Sequence, residues 1–327
     1  MKNNQLMIYG AYGYAGELMV REAVAQGLRP IIAGRDDEKL KPIATELSLE
    51  CRAFGVRNTG SNLQDISVLL NCAGPFSATA EPLARACLAQ QIHYLDITGE
   101  IDIFRKCHAL DEEARQQNVL ILPGAGTDIV PTDCLAAMLK EKLPVATRID
   151  LALSFGTNPS IGTVNTMIES FGKGGLIREG GMLKVVSNAF QMRKIPFQNK
   201  PQWAMTIPWG DVFTSGISTG VPDGAVYMAM PRMSIYMIRL TNPVKGILNT
   251  QFGQKITKRL AGWLMKKGPD AKALEAGRGQ FWGEAEAPDG EKLEMTMSTP
   301  NVYALTATVG WLLRLGCFYR LCSSRLL

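Results

Sequence analysis

Residues 6–16 read LMIYGAYGYAG, an apolar run followed at once by three evenly spaced glycines, Gly10, Gly13 and Gly16. A glycine turn that follows a strand and opens a helix is typical of a dinucleotide-binding unit, because backbone N–H groups and the helix dipole there hold a pyrophosphate. The G-x-x-G-x-x-G spacing is one residue wider than G-x-G-x-x-G. The position of the motif, between a strand and a helix, is therefore more informative than its glycine spacing. A purely structural strand-to-helix turn is the alternative.

The first half of the chain alternates short apolar runs with longer helical segments, which predicts a parallel α/β sheet. The predicted strands are 5–9, 30–33, 68–72, 93–96 and 119–122, and the predicted helices are 14–26, 37–47, 81–90, 102–117 and about 131–142.

The pattern of residue types in the sequence changes after Pro144. Residues 148–155 alternate as a strand does, and glycine, proline and aromatic residues then punctuate short runs, which predicts an α+β second domain. The predicted fold class is therefore α/β, a Rossmann-type parallel sheet domain with an inserted α+β second domain. We expect the first domain at 1–145 plus about 300–327, and the substrate or dimerisation domain at 146–299.

The second predicted strand ends in Ala33-Gly34-Arg35-Asp36, the position that distinguishes NAD from NADP. Arg35 offers a planar guanidinium for a 2′-phosphate and for stacking on adenine, so NADP is favoured and NAD is the less favoured cofactor. Asp36 would argue for NAD if it bound the ribose. We favour its alternative role as the N-cap of the following helix.

Ligands of open α/β sheets lie beyond the carboxyl ends of the strands, which directs attention to the residues after each apolar run. The predicted cofactor-binding residues are Gly10, Tyr12, Gly13, Tyr14, Ala15, Gly16, Arg35, Asp36, Asn71, Ala73, Gly74 and Pro75. Asp96, Glu100 and Asp128 follow two further strands and are candidate proton carriers. Carboxylates in such a rim also hold loops through backbone N–H groups, so the catalytic residue stays open.

The charge and residue composition of the chain argue against some classes of function. The chain has 327 residues with 35 Lys and Arg against 30 Asp and Glu, a mild excess that does not fit a dedicated nucleic-acid binder. Two histidines and seven cysteines without a C-x-x-C pair predict no metal site, and reduced thiols indicate a cytoplasmic protein. The N-terminus does not resemble a signal peptide, and the apolar stretch 302–319 is interpreted as a buried helix.

Positive charge is concentrated in residues 193–272, with twelve Lys and Arg and three Asp and Glu. Within this stretch, residues 255–267 have an amphipathic pattern that would suit an anionic membrane, an acyl carrier or coenzyme A. An ordinary helix packed on its own domain is the alternative. Met228, Met230, Met233 and Met237 indicate either a lipid-shaped pocket or plain core.

Several segments together resemble the saccharopine dehydrogenase-like oxidoreductases, which include the trans-acting enoyl reductases. The matching segments are 10–16, 33–35, 70–76, 94–100, 126–133, 281–285 and 299–303. The resemblance covers 6 to about 143 well and 277 to about 313 moderately, and the chain departs from the family pattern at 316–322. It implies a Rossmann domain completed by a C-terminal helix at 303–315, with a second domain inserted over the nicotinamide.

Hydride transfer by a nicotinamide requires few catalytic side chains, which suits a chain without an evident nucleophile triad. We therefore expect an NADP-dependent reductase of a carbonyl, imine or activated alkene. The alternative is a non-catalytic nucleotide-binding module acting at a membrane surface or with a protein partner. The expected partner is a small-molecule substrate, with lipid-like or carrier-bound substrates, a peripheral membrane location and a homodimer left open.

Overall fold

The computed structural model describes residues 5–155, 174–240, 242–244, 250, 253 and 277–312. The chain divides into two compact units. The first comprises residues up to Asp128 together with those from Tyr303 onward, and the second runs from Ile129 to Val302. The second unit is thus an insertion in the sequence of the first, which confirms the predicted class of an α/β domain with an inserted second domain.

The first unit contains a six-stranded parallel sheet in the order β3-β2-β1-β4-β5-β6. Its strands are β1 (Leu6–Tyr9), β2 (Ile31–Gly34), β3 (Cys51–Ala53), β4 (Val68–Asn71), β5 (His93–Asp96) and β6 (Ile121–Leu122). Its helices are α1 (Tyr14–Ala25), α2 (Asp37–Leu47), α3 (Phe76–Ala89), α4 (Ile101–His108) and α5 (Asp111–Gln116). The strand order reverses between β1 and β4, which is where such sheets bind ligands.

Strand β1 lies at the centre of this sheet, and each of its four residues is at most 3% exposed. A strand covered by helices on both faces reads as a continuous apolar run, as Leu6–Tyr9 does. Four of the predicted strands match within two residues, and β5 matches as predicted. Helix α2 also has the predicted bounds, since Asp36 caps its N-terminus as expected.

Three predictions for this unit differ from the structure. The short edge strand β3 was not predicted, because three half-exposed residues give no clear periodicity. Helix α3 begins at Phe76 rather than at 81 and carries Pro82 within it, although proline more often marks a first turn. The predicted helix 102–117 consists of α4 and α5, which are separated at Ala109 and Leu110.

The second unit is built on an eight-stranded mixed sheet in the order β10-β11-β12-β7-β13-β14, with β8 pairing to β12 and β9. Its strands are β7 (Arg148–Phe155), β8 (Gly175–Glu179), β9 (Met182–Val186), β10 (Met192–Pro196), β11 (Pro201–Ile207), β12 (Asp223–Ala229), β13 (Arg278–Glu286) and β14 (Lys292–Pro300). Its helices are α6 (Val130–Lys142), α7 (Asp211–Thr219) and α8 (Arg232–Leu240). Strand β7 has the predicted bounds.

Helix α6, predicted to lie in the first domain, groups with the second unit. The reason is packing: Leu135 and Leu139 on its buried face lie against Gly283 of β13. A Cβ atom on Gly283 would come within 2.6 Å of Leu139 Cδ1, so the helix approaches the strand as closely as a glycine allows. The observed boundary is thus at 128 rather than at 145.

Cations described in the second unit are largely engaged within it. The Arg193 guanidinium forms two 3.1 Å hydrogen bonds with the Glu284 carboxylate and stacks 4.7 Å from the Trp282 ring. Arg178 is buried and donates to the Val212 and Val221 carbonyls. The expected basic segment 255–267 lies outside the described residues, as does the departure from the family pattern at 316–322.

The methionine prediction was wrong for helix α8. Met228 is buried, but Met233 and Met237 are 71% and 58% exposed and therefore line neither a pocket nor a core. Among the helices in the described ranges, none combines the length and the apolar character that a membrane span needs. In the same part of the chain, no cluster of His, Cys, Asp and Glu is placed to hold a metal ion.

Candidate functional site

The glycine turn after β1 is packed against both neighbouring strands. Gly10 has a φ of +85°, in the left-handed region that favours glycine. Its N–H and that of Ala11 donate to the Ala33 carbonyl of β2 at 2.7 and 3.2 Å. A Cβ atom on Gly10 would lie 2.7 Å from the Ala73 nitrogen, and one on Gly16 would collide with the Gly10 carbonyl. The packing of the protein itself therefore requires these two glycines.

Gly13 differs from its two neighbours in the motif. It has an extended backbone, and among the described residues a Cβ atom there would have only the Gly10 oxygen within 4 Å, at 3.2 Å. Gly13 is also the N-cap of α1, and it provides no side-chain cap for this helix. Space in front of a helix N-terminus, bordered by a residue without a side chain, fits a pyrophosphate group.

The adenosine side of the predicted site is formed by the ends of the turn and of β2. The Tyr12 ring lies on Gly34, where a Cβ atom would come within 2.6 Å of Tyr12 Cε1. Arg35 is exposed, and no described residue forms a hydrogen bond or ion pair with its guanidinium group. Asp36 accepts the Lys39 N–H at 3.3 Å, which is the expected capping bond. Arg35 and Asp36 thus directly follow β2, and their contact with the cofactor stays a prediction.

A buried polar network joins the carboxyl ends of β4 and β5. Asn71 Nδ2 donates to Tyr94 Oη at 3.1 Å, and Tyr94 Oη donates to Asp96 Oδ2 at 2.8 Å. Asn71 Oδ1 accepts the Ala73 N–H at 3.0 Å, which fixes the loop before the cis peptide bond between Gly74 and Pro75. Asn71, Ala73 and the Gly74-Pro75 turn thus lie beside Gly10, at the point where the strand order reverses.

Asp96 is the centre of this network and is completely buried. Its Oδ1 accepts the backbone N–H groups of Thr98 and Gly124, both at 3.0 Å, so the carboxylate ties together the loops that follow β5 and β6. Burial raises the pKa of Asp96 to about 6, against the opposing effect of these hydrogen bonds. This geometry favours a loop-holding role over the predicted role as proton carrier.

Glu100 has a similar local function. Its Oε1 accepts the Phe76 N–H at 3.2 Å, at the first residue of α3, and its own N–H donates to Thr98 Oγ1 at 3.0 Å. A carboxylate is well suited to a helix N-terminus because it accepts an N–H group there and complements the dipole. The side chain therefore links the loop after β5 to the start of α3.

Asp128 is the third candidate carboxyl group and lies half-buried after the loop that follows β6. Burial raises its pKa to about 7. A carboxyl group with a pKa near neutrality holds its proton at the working pH and still releases it readily, which are the requirements for a general acid. Among the three predicted carboxyl groups, Asp128 has the chemistry that fits a proton donor best.

The loop before Asp128 is held by a helix from the other end of the chain, α9 (Val302–Leu312). Thr306 Oγ1 accepts the Thr127 N–H at 3.1 Å and donates to Thr127 Oγ1 at 2.9 Å. Near the start of the same helix, the Tyr303 ring meets the Tyr14 ring edge-on at a centroid distance of 5.2 Å. Helix α9 thus contacts both Tyr14 in the glycine turn and the loop before Asp128.

Three contributors to the site were not predicted. Tyr94 lies inside a strand and Thr306 inside an apolar helix, where neither stands out from core residues. A buried tyrosine hydroxyl nevertheless requires a polar partner, which is the signal that would have directed attention to Tyr94. Gly34 was part of a quoted motif, but its contact with the Tyr12 ring joins the end of β2 to the glycine turn after β1, which the sequence does not show.

Comparison with known proteins places this site in a family context. Residues 6–122 match the model of the saccharopine dehydrogenase NADP binding domain. A saccharopine dehydrogenase-like oxidoreductase from Rattus norvegicus is 25% identical over 231 residues, which are 62% of this chain and 53% of the relative. A protein described as a trans-acting enoyl reductase from Mycobacterium tuberculosis is 28% identical over 205 residues, 56% of this chain and 44% of its own length. The chain spans about half the length of the curated relatives it matches.

Among solved structures, apo saccharopine dehydrogenase (L-Glu forming) from Saccharomyces cerevisiae aligns with a TM-score of 0.61. The alignment covers 98% of this chain and 92% of the yeast chain at 10% identity, so it supports the fold alone. The matched family model describes an NADP-binding domain, in agreement with the cofactor predicted from Arg35. The comparisons therefore confirm the predicted resemblance to the saccharopine dehydrogenase-like oxidoreductases, with their NADP-binding domain at residues 6–122.

Proposed function

We propose that this protein is an NADP-dependent reductase that delivers hydride to a carbonyl, imine or activated alkene. The observation that carries the proposal is the setting of Gly13. Its neighbours Gly10 and Gly16 are glycines for internal packing, whereas a Cβ atom on Gly13 would have one close described neighbour, the Gly10 oxygen at 3.2 Å, and Gly13 provides no side-chain cap for the helix that it precedes. The match to an oxidoreductase family with an NADP-binding domain supports the same function.

Different residues of the chain would bind different parts of the cofactor. Bound NADPH supplies the hydride itself. Backbone N–H groups at the start of α1 would hold the pyrophosphate, and Arg35 would bind the 2′-phosphate. The Asn71 to Pro75 loop, held by Asn71 Oδ1 and by Thr79 Oγ1, which donates to the Ala73 carbonyl at 2.6 Å, would border the nicotinamide half. This division follows the order of the strands from β2 to β4.

We assign proton delivery to Asp128. Reduction of a carbonyl or imine adds one hydride and one proton, and the second must come from a nearby acid. Asp96 is fully buried and holds loops, and Glu100 accepts a bond from the start of α3. Asp128 is half-buried with a pKa of about 7, so that a large fraction of it is protonated at neutral pH.

The test is turnover by the purified full chain. NADPH oxidation at 340 nm is followed with a panel of enones, imines and acyl thioesters, and the name of the mycobacterial relative supports the inclusion of enoyl substrates. Oxidation above the rate of a Gly13→Val variant is expected, because a branched side chain at that position blocks the pyrophosphate. NADPH binding without turnover on any substrate would favour the non-catalytic module. The cytoplasmic location, the small-molecule partner and the homodimer stay predictions.

A further inference from the structure

The carboxylate of Asp36 stands where an acidic residue would select NAD, directly after β2. Both of its carboxylate oxygens interact with Lys39. Oδ1 accepts the Lys39 N–H at 3.3 Å and thereby caps α2, while Oδ2 lies 3.1 Å from the Lys39 ammonium. The hydrogen bond with Lys39 holds the pKa of Asp36 below its usual value. Asp36 therefore serves the start of its own helix and the lysine one turn later.

The Lys39 ammonium is held at the adenosine edge of the site. Its Nζ lies 5.6 Å from the centroid of the Tyr12 ring, which in turn lies on Gly34 at the end of β2. Arg35 is at the same edge, exposed and without a described partner for its guanidinium group. Together Arg35, Asp36 and Lys39 leave one positive charge in excess beside an aromatic ring.

We infer that Lys39 is a second NADP-selecting residue, which binds the 2′-phosphate together with Arg35, and that Asp36 is the positioning residue for its ammonium group. This inference rests on the proposed cofactor site and extends it. A doubly charged phosphate gains from two cations, and a lysine acts as a point charge that needs no fixed fork geometry. The acidic residue after β2 then supports NADP binding through Lys39 instead of selecting NAD.

Helix α2 contains a matched control. Lys41 is exposed like Lys39, but its ammonium lies 2.8 Å from Asp37 and 3.0 Å from Glu38. Its charge is compensated by these two carboxylates, and among the described lysines it is Lys39, not Lys41, that lies over the Tyr12 ring. Replacing Lys41 changes the net charge of the chain by the same amount as replacing Lys39.

The experiment measures dissociation constants of NADPH, NADH and 2′,5′-ADP for the full chain by calorimetry. Lys39→Met keeps an unbranched apolar stem over Tyr12, and it is expected to weaken NADPH and 2′,5′-ADP by about tenfold while leaving NADH within about twofold. Lys41→Met is expected to change none of the three. An unchanged preference for NADPH in Lys39→Met would overturn the inference while leaving the proposed function intact.

Asp36→Asn separates the positioning role from ribose contact, because asparagine also caps helices. We expect Asp36→Asn to leave NADH affinity the same. Any change that it causes in NADPH affinity should be absent when it is added to Lys39→Met, because that variant lacks the ammonium group that Asp36 positions. Equal weakening of NADH and NADPH would show direct ribose contact and overturn the inference. If the unmodified chain bound neither NADPH nor 2′,5′-ADP, the proposed function would be refuted together with it.

Discussion

At the scale of single residues, substitutions of Gly13 and Gly16 in the glycine turn are expected to have different effects. Gly13→Ala adds a methyl group whose only close described neighbour is the Gly10 oxygen, so we expect a folded protein that has lost NADPH affinity by tenfold or more, about 1.4 kcal/mol. Gly16→Ala places the methyl group against the Gly10 carbonyl and is expected to lower the thermal midpoint instead. Calorimetric binding and melting curves distinguish the two. A large loss of stability in Gly13→Ala would show that the contact with the Gly10 oxygen, rather than a bound pyrophosphate, requires glycine at this position.

Arg35 provides the second prediction at this scale. Arg35→Ala removes an exposed guanidinium that has no described partner, so its effect on folding should be small. NADPH binding should weaken much more than NADH binding, since only NADPH carries the 2′-phosphate. Titration of the variant with both nucleotides measures the difference. Equal losses for the two would mean that Arg35 does not contact that phosphate.

The proposed role of Asp128 as proton donor predicts a pH dependence of kcat/KM. The acid must carry its proton to donate it, so kcat/KM for reduction should be constant below about pH 7 and decline as the pH rises through that value. Asp128→Asn keeps the size of the side chain and removes its proton, and we expect a low, flat profile. A wild-type profile that rises between pH 6 and 8, or a variant that keeps the same decline, would exclude Asp128 as the donor.

At the scale of elements, helix α9 holds the loop before Asp128 through the Thr306 hydroxyl group. Thr306→Val keeps the shape of the side chain but removes the acceptor of the Thr127 N–H, and should cost about 1 kcal/mol of unfolding free energy. Because the Asp128 loop loses its anchor, kcat should fall several-fold while the Kd for NADPH changes little. Thr308→Val is the control, since among the described residues the partner of Thr308 Oγ1 is the Ala304 carbonyl of its own helix. Equal effects of both substitutions would contradict the anchoring role.

How much the sequence predicts also differs between elements. Helix α2 has the predicted ends because Asp36 is a clear cap, and β1 was recognised because a buried central strand is apolar throughout. The charged residues of the cofactor edge follow from their place after β2. The network around Tyr94 could not be predicted as a whole, since the bonds from Asn71 to Tyr94 and from Gly124 to Asp96 join residues 23 and 28 positions apart. Edge strand β3 has no periodic pattern, because water reaches part of each residue.

At the scale of the whole molecule, buried and exposed carboxyl groups act in different pH ranges. Burial raises the pKa values of Asp96 to about 6 and of Asp128 to about 7, so their contribution to stability is present at acidic pH and is lost as the pH rises through those values. Hydrogen bonds with cations lower the pKa values of the half-buried Asp36 and the exposed Glu46, whose contributions are lost only below about pH 4.

Between pH 8 and pH 5 the buried groups should therefore dominate. We expect the thermal midpoint to be higher at pH 5 than at pH 8 by about 2–10 °C, which corresponds to about 1–3 kcal/mol. Differential scanning calorimetry at constant ionic strength measures this shift. Asp96→Asn should reduce it because the variant has no titrating group at that position. A midpoint that falls steadily from pH 8 to pH 5 would contradict the sign of both shifts.

The first unit is interrupted in the sequence by the whole of the second, and Thr306 and Tyr303 return to it only after residue 302. During translation, the glycine turn and the Asp128 loop leave the ribosome long before the helix that braces them. A nascent chain that ends within the insertion consequently has no α9 to hold either loop. The Thr306–Thr127 and Tyr303–Tyr14 contacts therefore form only after the whole insertion has been synthesised, so that the two loops spend the intervening time without this support.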